Sequence, residues 1–151
     1  MKKLLALVLF VGATLSLTSC SSDDNKEIRV KTEYEGNWVT DSLFYQMGSF
    51  KGKHKFEDFP AEEGVKEGEQ ITKEILILTS SKANLLEYQK NGNKLPEVKG
   101  TVENEKTILL IGDKKYEPRK IISATKAKLT LEYNIEMRGA KLPVTVTYKR
   151  N

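Results

Sequence analysis

The sequence predicts an all-β fold, an antiparallel up-and-down barrel of about eight strands. Three observations lead there. Residues 126–137 alternate apolar and polar side chains from end to end. Glycine and asparagine turn signals recur about every 8–12 residues, the spacing of sandwiches and barrels. No stretch beyond the N-terminal apolar run carries the periodicity of an amphipathic helix.

Taken in order, "GNWVTDSLFYQ" (36–46) and "HKFEDF" (54–59) supply the opening strands, with Phe44 and Phe56 pointing inward by parity. "PAEEGVKEGEQ" (60–70) is polar and punctuated by glycine, so it reads as a loop. Its Glu62, Glu63, Glu67 and Glu69 lack the fixed spacing of a calcium loop and read as solvated. "EILILTS" (74–80) is a near-continuous apolar strand. "ANLLEYQ" (83–89), with Tyr88 taken as inward, leads into Asn91-Gly92, the strongest hairpin signal in the chain. Residues 106–123 give two more strands around Gly112-Asp113. In 126–137, Ala127, Leu129, Leu131, Tyr133, Ile135 and Met137 share one face, as period-two geometry requires. After a turn at Gly139, Val144, Val146, Tyr148 and Arg150 share the inward face of the last strand. Pro143 lies near the start of that strand, where its missing N–H is tolerated.

The N-terminus addresses the chain. Lys2 and Lys3 precede an apolar core from Leu4 to Leu17, too short for a spanning helix of about 20 apolar residues. A basic start, a core of this length and small residues at its end mark residues 1–19 as an export signal. Leu17-Thr18-Ser19-Cys20 resembles the bacterial lipobox. The resemblance implies cleavage before Cys20 and acylation of that residue, hence a membrane anchor. Ser21-Ser22-Asp23-Asp24 resembles the export signal of Bacteroidetes lipoproteins, which implies an outer-membrane position on the periplasmic face or the cell surface. Residues 20–33 then form a polar tether that cannot bury a core, and 34–151 form one domain.

Composition narrows the function. Without Lys2 and Lys3 the 25 basic residues fall to 23 against 21 acidic ones, a near balance that argues against nucleic acid as a partner. Cys20 is the only cysteine, so the fold is held by its core and not by disulfides. One histidine and no spare thiol leave no set for Ser-His-Asp or Cys-His catalysis. The chain has no metal-ligand cluster and no glycine-rich phosphate loop, and no cofactor is expected. His54, between Lys53 and Lys55, reads as a half-buried strand residue. The stripe Lys51, Lys53, Lys55 reads as edge protection. Adjacent pairs such as Glu57 and Asp58 point to opposite strand faces and cannot share a substrate. Asp41-Ser42-Leu43 resembles the Bacteroidetes O-glycosylation tripeptide, a match short enough to arise by chance.

Gly36-Asn37-Trp38 on the first strand, a meander of about eight strands and Arg150 on the last strand together resemble the lipocalin and calycin pattern. The resemblance is closest to lipocalin-like domains of Bacteroidetes lipoproteins and spans roughly residues 34–150. It implies that Trp38 closes one end of the barrel with Arg150 packed across its ring, a structural pair. The long loops and disulfides of lipocalins are absent, which questions a roomy ligand cup. The expected function is a non-enzymatic, lipid-anchored, monomeric binding module for a small apolar or amphipathic ligand. Phe44, Phe56, Tyr88 and Tyr133 would line the site. The alternative is a surface accessory lipoprotein with a solid core, whose loops contact a protein or glycan. An enzyme would need two close carboxylates in a cleft. The state of the barrel interior separates the first two readings.

Overall fold

The computed structural model describes residues 32–60 and 64–151. The signal segment 1–19, Cys20 and the tether as far as residue 31 lie outside the described residues, as do Glu62 and Glu63. The described residues form nine strands: β1 (Gly36–Met47), β2 (Phe50–Lys55), β3 (Ile71–Leu78), β4 (Lys82–Gln89), β5 (Val98–Glu103), β6 (Thr107–Ile111), β7 (Arg119–Ala124), β8 (Lys128–Met137) and β9 (Ala140–Arg150). Two single turns of 3₁₀ helix, Phe56–Asp58 and Glu67–Glu69, lie between β2 and β3.

Each strand from β3 to β9 pairs antiparallel with the next, and β9 pairs back onto β1. The meander therefore closes as an eight-strand, all-β up-and-down barrel, the expected fold. Closure leaves no free edge in the barrel wall, and a barrel of eight strands is narrow enough for side chains to fill. β1 spends its two halves differently. Gly36–Val39 pairs with β3, whereas Ser42–Met47 pairs with β2 on the same edge. The β1–β2 hairpin thus extends the wall beyond the start of β3.

That switch in partner explains the first correction. The β1–β9 register shifts between Thr40 and Ser42, a bulge at Asp41. A bulge adds one residue and so reverses the inward parity beyond it. Trp38 is inward before the bulge, and Leu43 and Tyr45 are inward after it. Phe44, expected inside, is 38% exposed on the outer face. Tyr88 is a second correction. On β4 the buried positions are Ala83, Leu85 and Glu87, so Tyr88 faces out, where Lys73 Nζ lies 4.3 Å from its ring centroid. Phe56 is not on a strand. The expected strand at 54–59 ends at Lys55, and Phe56 opens the first 3₁₀ turn, partly buried against the core.

β5 escapes a hydrophobicity reading because Gly100 interrupts it. Val98 and Val102 are the inward residues, and a side chain at Gly100 would collide with the Leu109 carbonyl. Glycine is there to let two backbones approach. Ala127, expected on the inward face, precedes β8 and is exposed, whereas within β8 and β9 the parity holds. Leu129, Leu131, Tyr133, Val144, Val146 and Tyr148 are all buried, as their alternation requires. The β8–β9 turn has positive φ at both Arg138 (52°) and Gly139 (73°), the type I′ geometry that matches strand twist.

Candidate functional site

The barrel has a closed end, a polar waist and an apolar mouth. The closed end is built from Trp38, fully buried, whose indole Nε1 donates to the Tyr34 carbonyl at 2.6 Å. Arg150 lies directly across from it in the β1–β9 register, with its guanidinium carbon 3.9 Å from the indole ring centroid. The Arg150 nitrogens donate to the carbonyls of Glu35 (2.6 Å), Lys126 (3.1 Å) and Glu33 (3.2 Å). This one side chain ties the segment before β1 and the β7–β8 turn to the last strand. A guanidinium over an aromatic face contributes about 0.5–2 kcal/mol. The contact joins the two residues that the resemblance pairs.

The waist begins one step inward. Thr40 pairs with Tyr148 across β1 and β9, and its hydroxyl accepts from the Glu74 amide. Glu74, Glu87 and Arg119 are all buried, at 4%, 3% and 4% exposure. Arg119 from β7 grips Glu74 from β3 as a fork: Nη1 donates to Oε2 at 2.7 Å and Nη2 to Oε1 at 3.0 Å. The Tyr148 hydroxyl donates to Glu74 Oε2 at 2.6 Å. Tyr133, the sequence candidate that does lie inside, stacks under Arg119, with the guanidinium carbon 4.4 Å from its ring centroid. Glu87 pairs directly with Glu74 across β3 and β4 but keeps separate partners. Lys114 Nζ (2.9 Å) and the Tyr116 hydroxyl (2.8 Å) reach it from the β6–β7 connection.

The electrostatics follow from this packing. Burial works to raise the Glu74 carboxyl, but the Arg119 charge and the hydrogen bonds from Arg119 and Tyr148 outweigh it and hold the group below the ordinary carboxylate value. Burial works to lower Arg119, and the Glu74 carboxylate overrides it, so the guanidinium stays charged. Burial raises the phenols of Tyr133 and Tyr148, and the Glu74 carboxylate adds to it against the opposing Arg119 charge. Burial and the Glu87 hydrogen bond raise Tyr116. Among the described residues every buried side-chain nitrogen and oxygen has a partner. A fully satisfied network is a packing element; a half-satisfied one would be costly. Although Glu74 and Glu87 are close, each is committed to its own cation, and neither lines the cleft at the mouth.

That cleft, about 680 Å³, opens at the end opposite Trp38. Tyr45, Met47, Phe50, Phe59, Met137 and Leu142 supply its apolar wall, and Arg138 and Pro60 complete the lining. His54 is half-buried on β2 beside it, stacked on Tyr45 with centroids 5.8 Å apart and ring planes 3° apart. Phe59 meets both rings edge-on at 6.0 Å. Gly52 makes the stack possible, because a side chain there would strike the Tyr45 ring. The sequence reading missed this cleft and the waist. Glu74 and Glu87 stand on the apolar parity of β3 and β4, and that was the available signal. The cleft is assembled from chain ends of β1, β2 and β8, which parity within one strand does not reveal.

The chain is thus a closed, eight-strand antiparallel β-barrel with an arginine-capped tryptophan at one end and an apolar mouth at the other. Among solved structures the chain is similar to one described as "The Siderocalin Ex-FABP functions through dual ligand specificities", with 12% identity, a TM-score of 0.46, and coverage of 80% of this chain and 71% of that one. No family model matches the chain, and no curated protein does.

Proposed function

We propose that this chain is a lipid-anchored, non-enzymatic binding module that takes a small amphipathic ligand at the barrel mouth. The apolar part would lie against Tyr45, Phe59, Met137 and Leu142, and an acidic head would meet Arg138. The cleft carries the reading: its volume of about 680 Å³ falls in the usual range for small-molecule sites, and it is apolar with one cation at its edge. The filled waist keeps a ligand near the mouth, so Tyr133 acts as packing under Arg119. Anchoring through an acylated Cys20 at the outer membrane belongs to the same reading. Its support is the lipobox and the acidic residues after it, and the mass of the N-terminal peptide tests it.

The binding test is displacement of a fluorescent fatty acid by medium-chain carboxylates and the matching alcohols. Met137→Glu, which places a charge in the wall at a half-buried site, should weaken both by more than about tenfold. Arg138→Ala should weaken the carboxylates alone. Absence of probe binding by the wild type, or binding untouched by Met137→Glu, overturns the reading. The filled waist favours a second reading, an accessory protein with a solid core whose loops contact a protein or glycan. That reading gains if no small ligand binds.

A further inference from the structure

We infer that the β1–β2 hairpin is a docking finger for an anionic phospholipid surface. Its tip carries two large apolar side chains in water. Met47 and Phe50 form the terminal pair of the ladder and are 59% and 73% exposed. Isolated apolar residues on a surface are ordinary, but here two adjoin at the end of a hairpin on the barrel rim. Phe44, 38% exposed, lies on the other face of the hairpin, opposite Lys53 in the register.

The polar part of the hairpin has one sign. Lys51, Lys53 and Lys55 are exposed and alternate along β2, and Lys53 pairs with Phe44. Among the described residues none of the three makes an ion pair. No acidic residue lies between Ser42 and Lys55. The first acids after the tip, Glu57 and Asp58, follow the far end of β2, roughly 20 Å away at about 3.3 Å per residue. Arg138, on the neighbouring β8–β9 turn, adds a fourth positive charge near the tip's side of the mouth. Apolar side chains at a tip with lysines behind them match the layering of a bilayer, in which acyl chains lie beneath anionic headgroups. A protein partner would need an acidic surface surrounding an apolar socket. An anionic leaflet offers both features everywhere.

The charge complementarity sets the size of the effect. Each basic residue held near an anionic surface raises partitioning about fivefold, and salt screens the gain within a Debye length of about 10 Å at 0.1 M. Met47, Phe50 and Arg138 also line the cleft, so the docking surface adjoins the ligand site, but docking is read from position 50 against lipid and does not require the cleft to be filled.

The test places a reporter at the tip. The full chain, purified as the cell processes it and carrying Phe50→Trp, is reconstituted in phosphatidylcholine vesicles with or without phosphatidylglycerol, with brominated acyl chains as quencher. The wild type supplies the reference, because its single tryptophan, Trp38, is fully buried. The expected result is strong quenching of the indole at position 50 in anionic vesicles. Quenching should fall severalfold in neutral vesicles, at 1 M salt, or when Lys51, Lys53 and Lys55 are all changed to Gln. Quenching no greater than in the wild type overturns the inference. So does equal quenching in neutral and anionic vesicles. Shielding of position 50 in native membranes, without quenching in protein-free vesicles, assigns the finger to a protein partner and also overturns it.

Discussion

Glu74 and Glu87 stand directly opposite each other across β3 and β4, both inside the barrel, yet each is hydrogen-bonded to a different cation. Glu74 is neutralised from the wall by Arg119, whose side chain is as buried as its own. Glu87 is neutralised by Lys114, a side chain 55% exposed. The two carboxylates therefore differ in what their loss would do. Arg119→Met leaves Glu74 charged and unpaired in the interior, and breaking a buried pair from one side costs about 3–5 kcal/mol. Adding Glu74→Gln to that variant should restore part of the loss, because an uncharged amide is cheaper to bury. Lys114→Ala should cost less, roughly 1 kcal/mol, since the ammonium is half in water and its interaction is screened accordingly. Urea midpoints for the four proteins check the order. Equal losses for Arg119→Met and Lys114→Ala would contradict the distinction.

The same pairing sets acid stability. The folded-state pKa of Glu74 lies below the ordinary value of 4.5, because Arg119 and the hydrogen bonds overcome the effect of burial. A group whose pKa is depressed on folding contributes stability above its unfolded value and loses it as pH falls through the folded value. Stability should therefore drop as pH goes below about 4.5, as protonation of Glu74 removes its charge pairing with Arg119. Glu74→Gln should be less stable at neutral pH, with a shallower decline in that acid window. Thermal midpoints between neutral and acid pH report the slope, and identical slopes for wild type and variant would show that other carboxylates carry the acid transition.

At the closed end, Gly36 and Arg150 occupy one small volume. Gly36 has φ of 138°, and a Cβ there would overlap the Arg150 guanidinium. The glycine of Gly36-Asn37-Trp38 thus serves both backbone conformation and the arginine lid. Gly36→Ala combines strain of about 1–3 kcal/mol with loss of the stacked guanidinium, so a total near 2–4 kcal/mol is expected. Arg150→Ala alone should cost about 1–2 kcal/mol. In the double variant the clash is gone, and the backbone strain adds to a single loss of the stacked guanidinium. The sum should then be less than additive, read from denaturation midpoints and from the emission of Trp38. Full additivity would mean that the two residues act independently.

The regular part of this fold is legible in the chain because alternation is a local property. Leu129, Leu131 and Tyr133 announce β8, and Arg150 on the parity of Val144, Val146 and Tyr148 places itself over the barrel interior. Parity fails where the chain departs from regularity. Phe44 is on the wrong face because the bulge at Asp41 lies two residues before Leu43, and no residue type announces it. Tyr88 faces out because the inward parity of β4 runs through Ala83, Leu85 and Glu87, and burial of a carboxylate there depends on Lys114 and Tyr116 from a distant connection. Glu74 reads as a strand-edge polar residue until Arg119 and Tyr148, 45 and 74 positions later, close around it. The cleft at the mouth is a product of closure, and no single segment encodes it.

Alkaline conditions probe the waist from the other side. Burial is the leading cause that raises the phenols of Tyr116, Tyr133 and Tyr148 above the ordinary value of 10, and the carboxylates nearby add to it. A group whose pKa is raised on folding contributes stability fully present below its unfolded value, and the contribution is lost as pH rises through the folded value. These three of the six tyrosines should therefore resist ionisation until the barrel opens. Tyrosinate absorbance should rise in two stages, the later one coinciding with loss of the far-ultraviolet sheet signal. Tyr148→Phe removes one late phenol together with a hydrogen bond to Glu74, so its late amplitude should shrink and its unfolding should move to lower pH. A single smooth titration of all six hydroxyls, with the sheet signal intact throughout, would mean that the waist is open to water and that the packing described for Arg119, Glu74 and Tyr148 does not hold in solution.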